Sequence, residues 1–283
     1  MKITNAPLVM SLGDPCGIGP ELAAKAWASL RDQTGLAFCV IGDAALMAAQ
    51  GVPVVAIDEI AETHAHFATA LPVIDLPLNA PVIAGQPDSA HASHIIEWIK
   101  TGVDLCLSGK ARALVTCPIA KSVLYATGFK FPGHTEYLAD LCRDGETVPT
   151  PVMMLTAKDL RVVLATIHTP VSAVPAALSI EGLVELARIT NAALLRDFAI
   201  DAPRLVMAGL NPHAGENGSI GREEINVLKP AISQLQNESI DIRGPFPADT
   251  LFHDEARSDY DAALCMYHDQ GLIPLKTLDF WGG

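Results

Sequence analysis

Three histidines carry the most chemical promise: His168, His213 and His268. Each closes a short apolar run, and each stands just ahead of a chain breaker, Pro170, Gly215 or Gly271. They lie 45 and 55 residues apart, about one or two α/β units each time. Three neutral imidazole nitrogens suit Zn²⁺ or a similar divalent ion and leave a coordination position open for substrate. Asp269, beside His268, and Asp249 are candidates to orient such ligands. The same spacing also fits three unrelated polar residues at strand ends. Convergence requires that the strands share a sheet or meet across a symmetric interface.

A second group points to anions. Thr135 reads as the N-cap of a helix running through Cys142. The backbone donors there, with His134 beside them, make a natural anion site. Lys121 follows the strand-like stretch 113–116 and can reach a crevice or stay on the surface. His91 and His94 lie one turn apart on a helical stretch, 89–107, with no third ligand nearby in sequence, and read as a solvated face. The run 17–22, GIGPEL, begins like a dinucleotide fingerprint. It lacks the third glycine that lets helix and strand pack closely under a cofactor. It reads as a tight turn before a helix over 21–30, with Pro20 suited to the first position.

The elements that must position these groups form an α/β pattern. Residues 205–210 read as a buried strand, and 211–221 as a polar, glycine-rich loop at its exit. In open α/β sheets ligands bind beyond the carboxyl ends of the strands, so this loop is where chemistry is expected. Further strands are read at 7–12, 37–41, 52–57, 113–116 and 262–267, with a hairpin at 152–155 and 161–165. Helices are read at 43–50, 179–198 and 226–236, and a rigid turn at 244–250. The proline-rich stretch 58–88 gives no clear order.

At 283 residues, with 50% hydrophobic and 18% charged residues, the chain is expected to be globular with two domains. A net charge of −13 argues against a nucleic-acid partner, which needs basic patches. A small anionic substrate needs only a few local cations. The most apolar stretch, 70–84, is broken by Asp75, Asn79 and prolines, so no membrane span is expected. Lys2 precedes a short apolar run, 6–12, that leads into Gly13-Asp14-Pro15, which is not a signal peptide pattern. The six cysteines form no CxxC pair and read as buried thiols in a reducing cytoplasm.

Six co-linear motifs add a resemblance. They are GDPCGIGPE at 13–21, FPGHTEYLA at 131–139, ATIHTPV at 165–171, LNPHAGENG at 210–218, GPFPADTLF at 244–252 and MYHDQGLIPLK at 266–276. Together they closely resemble the 4-hydroxythreonine-4-phosphate dehydrogenase (PdxA) family of pyridoxal phosphate biosynthesis, over essentially the whole chain. The resemblance implies two α/β/α domains with a cleft between them, of the isocitrate/isopropylmalate dehydrogenase-like group. The first domain is then expected over 1–130, and the second, with the metal histidines and the dimer interface, over 131–283. It implies a homodimer with an active site shared between subunits.

His168, His213 and His268 match the family's ligands for a divalent metal (Zn, Mg or Co), the last supplied by the other subunit. His134, Thr135 and Lys276 match substrate-binding positions. NAD or NADP is the implied oxidant, bound without the usual glycine fingerprint and at residues the sequence does not name. Family members continue beyond Trp281-Gly282-Gly283, with an Asn and an Arg for substrate and an element completing the first domain.

The implied reaction is oxidation of 4-phosphohydroxy-L-threonine at its C3 hydroxyl, with Lys276, Asp249 or Asp269 as base, followed by decarboxylation of the β-keto acid. Two other dehydrogenase substrates, threonate and erythronate 4-phosphate, fit the same motifs. A three-histidine metal-dependent hydrolase and a non-catalytic two-domain binding protein are the rivals from other classes.

Overall fold

The apolar runs pair side by side as parallel strands. The computed structural model describes residues 5–33, 35–131 and 133–282; Lys2, Pro132 of the motif at 131–139, and Gly283 lie outside them. Among the described residues the strands form two five-stranded sheets. The first contains β1 (Leu8–Ser11), β2 (Phe38–Gly42), β3 (Val54–Ile57), β4 (Leu71–Asp75) and β5 (Leu114–Thr116), all parallel, in the order β3-β4-β2-β1-β5. The second contains β6 (Met154–Ala157), β7 (Leu160–Leu164), β8 (Arg204–Ala208), β9 (Asp241–Phe246) and β10 (Ala262–Cys265), in the order β6-β7-β10-β8-β9. Only β6 runs antiparallel, as the first arm of the expected hairpin with β7.

The first sheet packs against α1 (Gly19–Leu30) through Ala23, Ala24 and Trp27, and against α2 (Ala92–Leu107) through Trp98. Pro20 lies in the first turn of α1, where a missing N–H costs nothing. β4 falls inside the stretch that the sequence left unordered. Pro72, its second residue, argues against an interior strand, yet Leu71, Pro72 and Val73 are all buried.

Two compact units divide between Pro151 and Val152, not at the expected 130/131 boundary. The reason lies in α3 (His134–Leu141). Its Tyr137 is buried, donates a hydrogen bond to the Ile96 carbonyl at 3.5 Å, and packs on the rings of Phe129 and Phe131. Residues past 130 therefore stay with the first core, while Val152 joins the second.

In the second unit, strand residues alternate between two cores. Val163, Leu205, Met207 and Leu264 face α4 (Ile180–Arg196) and α5 (Lys229–Asn237). Val162, Leu164, Val206, Ala263 and Cys265 face the side covered by α6 (His268–Leu278) through Leu275. Ser179 caps α4 by accepting the Gly182 N–H at 3.0 Å. Gly244, Pro245 and Phe246, expected in a turn, belong to β9.

Candidate active site

β7, β10 and β8 are neighbours, and the registers Leu164 with Cys265 and Met207 with Leu264 bring their carboxyl ends to one edge. His168, His268 and His213 follow these three strands in that order across the sheet. The crossover from β7 to β8 passes over β10, which the chain adds last between them. That reversal is the topological switch point where an open α/β sheet presents a crevice.

His168 and His268 come together, with ring centroids 6.1 Å apart. Both line an open pocket of about 330 Å³ with Ile167, Thr169, Tyr267 and Asp269. His268 Nδ1 lies 2.8 Å from Asp269 Oδ1. When Nδ1 donates to that carboxylate, the lone pair of Nε2 is left for a metal or a proton. Asp269, expected to orient a metal ligand, thus lies against the Nδ1 side of His268. Cys265, beneath this edge, is fully buried, and burial pushes its thiol up to about 12.

His213 does not join the pair. Among the described residues, no group of three His, Cys, Asp or Glu side chains is disposed to hold a metal ion. The cause is the path of the loop. His213, Ala214, Gly215, Glu216 and Asn217 all have φ between 42° and 78°, a run of left-handed backbone. Such a conformation costs non-glycine residues about 1–2 kcal/mol each. Glu224 holds it in place. This carboxylate is 1% exposed and accepts the Asn211 N–H at 2.7 Å and Asn211 Nδ2 at 2.9 Å, while Glu223 accepts Nδ2 at 2.8 Å. A Cβ on Gly215 would fall 2.5 Å from Glu224 Oε2, so the loop needs glycine there. Glu224 opens a π-helical turn, Glu224–Leu228, where helix from 226 was expected.

The resemblance supplies His268 from the opposite subunit, and within this chain its ring centroid lies 6.1 Å from that of His168. Gly271 is not a loop breaker either. It lies inside α6, and a Cβ there would meet Leu164 Cδ2 at 2.9 Å and Cys265 Sγ at 3.3 Å, so it allows α6 to sit close on β7 and β10. Lys276 stands two helical turns beyond His268, about 12 Å along the axis. Its ammonium lies 5.5 Å from the Phe280 ring centroid. Asp249 is exposed in the turn Ala248–Thr250 after β9, and no hydrogen bond among the described residues joins it to the histidines.

In the first unit, α3 begins two residues earlier than expected. Gly133 is its N-cap with extended backbone, so Thr135 lies within the first turn and is not a capping residue. Lys121 Nζ approaches within 3.7 Å of the position a Gly133 Cβ would take. Burial and the Lys121 ammonium together hold the His134 pKa below its ordinary value. His134, Thr135 and Lys121 thus meet at one helix start. His91 is not on a solvated face. It is fully buried, and neither ring nitrogen has a hydrogen-bond partner among the described residues.

Sequence reasoning missed Glu224, Thr166 and Gln270. Thr166 Oγ1 donates to the Met266 carbonyl at 2.8 Å, and Gln270 bridges the Met266 N–H and the Gly209 carbonyl, each at 2.7 Å. Their one signal in the sequence is a polar residue within a few positions of each strand end.

Known proteins resemble this chain over most of its length. The chain is 53% identical over 285 residues to 4-hydroxythreonine-4-phosphate dehydrogenase of Caulobacter vibrioides, covering 99% of this chain and 85% of that one. It is 50% identical over 278 residues to the Zymomonas mobilis enzyme of the same name, covering 98% and 82%. The crystal structure of a 4-hydroxythreonine-4-phosphate dehydrogenase from Burkholderia phymatum superposes with a TM-score of 0.88 at 35% identity, over 97% of this chain and 84% of that one. A family profile described as pyridoxal phosphate biosynthetic protein PdxA matches residues 35–283, and the chain belongs to that family.

Proposed function

We propose that the chain carries out NAD(P)-dependent oxidation of 4-phosphohydroxy-L-threonine to 2-amino-3-oxo-4-phosphooxybutanoate, which loses CO₂ to give 3-amino-2-oxopropyl phosphate, in pyridoxal phosphate biosynthesis. Its family and the names of its relatives support the reaction. The observation that carries the chemistry is the His168–His268 pair, with Asp269 on His268 Nδ1, at the exits of adjacent parallel strands.

The residue types suit a divalent metal, because imidazoles with a carboxylate-fixed tautomer suit Zn²⁺, Co²⁺ and their neighbours. His168 and His213 would hold it, with His268 as third ligand from a second copy of the chain, as the family positions imply. Bound there, the ion supplies Lewis acidity that lowers the pKa of the substrate hydroxyl. Asp269 orients His268 and, through water, takes the hydroxyl proton. His134 and Thr135, with Lys276 as the family positions imply, bind the phosphate. A homodimer fits the exposure of Val171 and Ile273, which lie near the pair in sequence and are 68% and 66% exposed.

No helix among the described residues is long and apolar enough to cross a membrane, and all six cysteines are free thiols. These support a cytoplasmic setting. The test is absorbance at 340 nm with purified protein, 4-phosphohydroxy-L-threonine, NAD⁺ and a divalent metal, repeated after chelation. Chelator-sensitive NADH formation is expected. A folded, metal-loaded protein that forms no NADH with this substrate, NAD⁺ or NADP⁺ overturns the assignment.

A further inference from the structure

Lys121 is a cation that the fold leaves unspent. Lys25, Lys100, Arg188, Arg204 and Arg257 each stand in an ion pair with a carboxylate, whereas Lys121 is exposed and in none among the described residues. Its place is set by the first sheet. β1 and β5 are neighbours in the order β3-β4-β2-β1-β5. The chain leaves β1 towards β2 on one side and adds β5 last on the other, which makes this the switch point of the sheet. The Cys117 N–H donates to the Ser11 carbonyl at 3.0 Å and the Asp14 N–H to the Pro118 carbonyl at 2.9 Å, tying the exit of β5 to that of β1. Just beyond, Lys121 opens the short helix Lys121–Tyr125.

Packing holds this helix against the start of α3. Val123 and Leu124 share one core cluster with Ile95 and Tyr137. Lys121 Nζ and Glu136 Oε2 thereby lie 3.7 and 3.4 Å from the point where a Gly133 Cβ would stand. Gly133 has φ −170° and ψ −170°, extended backbone that any residue adopts, and both distances are ordinary van der Waals contacts. Neither conformation nor packing therefore calls for glycine here. Its missing side chain leaves Lys121 a clear approach to the first N–H groups of α3.

Charge gives Lys121 its task. A phosphate monoester carries about −1.5 to −2 charges at pH 7. Burial, and then the Lys121 ammonium, hold the His134 pKa below its ordinary value, so at pH 7 this ring offers a hydrogen bond but no charge. Thr135 offers a hydroxyl. Glu136 has the wrong sign, but it is exposed and can turn into solvent.

We propose that Lys121 is a phosphate-binding residue: together with His134, Thr135 and the backbone donors of α3 it holds the phosphate of the substrate, and it supplies the positive charge that these neighbours lack. The inference rests on the placement of the phosphate at His134 and Thr135 given above.

The test is the Kd of inorganic phosphate for the full-length protein by isothermal titration calorimetry, with KM and kcat for 4-phosphohydroxy-L-threonine and the thermal midpoint in phosphate-free buffer. Lys121→Gln is expected to raise Kd and KM about 10- to 100-fold, the worth of one charge-assisted hydrogen bond, with kcat changed less and the thermal midpoint unchanged. Lys121→Arg keeps the charge and should stay within about fivefold of wild type. Glu136→Gln removes a like charge and should tighten phosphate binding. Gly133→Ala should fold as wild type and weaken it. A Lys121→Gln protein whose Kd and KM stay within about twofold of wild type, while His134→Gln weakens phosphate, overturns the inference and leaves the phosphate placement standing. If His134→Gln leaves Kd unchanged as well, or the wild-type protein binds no phosphate, the placement itself is overturned and the inference falls with it.

Discussion

The two sheets treat the polar groups at their carboxyl edges in opposite ways. On the first sheet the exits carry carboxylates, and backbone donors consume them. Asp14 accepts the Cys16 N–H at 2.9 Å, Asp43 accepts Leu46 and Leu78 at 2.7 and 2.9 Å, and Asp75 accepts Ala44 at 2.9 Å. On the second sheet the exits carry imidazoles, and the bracing is done by other residues. Thr166, Gln270 and Glu224 meet the backbone from behind, leaving His168 and His213 exposed. A polar residue at a strand end is thus structural when it spends its own hydrogen-bonding capacity on the chain. It is available for chemistry when neighbours do that work instead.

The contrast breaks most directly at the histidines. His168→Ala or His268→Ala should abolish Co²⁺ binding and lower kcat/KM about 10³-fold, a Lewis-acid contribution of several kcal/mol, with the fold retained by circular dichroism. Unchanged turnover would place these imidazoles with the structural carboxylates of the first sheet. Glu224→Ala strands the Asn211 N–H and leaves its side-chain amide with Glu223 alone, and should cost about 2–3 kcal/mol in urea unfolding. Asp269→Asn should weaken Co²⁺ about 10- to 100-fold while barely changing the thermal midpoint. Asp43→Ala should do the reverse. It removes a helix cap and costs about 1 kcal/mol of stability, with Co²⁺ affinity unchanged.

The smallest effect is a pH dependence at His134. Burial and Lys121 hold its folded pKa down, so the unfolded chain takes up the proton first as pH falls. The contribution of this site to stability is therefore complete above about pH 6.5 and is lost as pH drops towards the folded value. His134→Gln should flatten that limb of a stability-against-pH curve.

The strand exits were legible because a short buried run followed by a polar residue and a breaker is a local signal. That His168 and His268 meet was legible only as a condition on the sheet, which the order β7-β10-β8 fulfils. The braces were not legible. Gln270 reaches a carbonyl 61 residues away and Thr166 one 100 residues away, and no periodicity encodes such partners. Glu224 is one of many acidic residues in the sequence, and burial alone distinguishes it. β4 was hidden by Pro72, and the start of α3 by a threonine that looked like a better cap than the glycine before it. Gly271 read as a breaker because a sequence does not say whether a glycine is needed for its backbone freedom or for its small size.

The left-handed run at 213–217 limits what this loop can become over evolutionary time. A β-branched side chain is the worst fit to such backbone, and none of His213, Ala214, Glu216 and Asn217 is branched at Cβ. Single exchanges to asparagine, aspartate or glycine keep the path open, whereas valine, isoleucine or threonine close it. The loop can therefore drift in charge and hydrogen bonding far more freely than in shape. New specificities in its descendants are accessible by altering polarity at 214, 216 and 217, along a backbone that stays as it is.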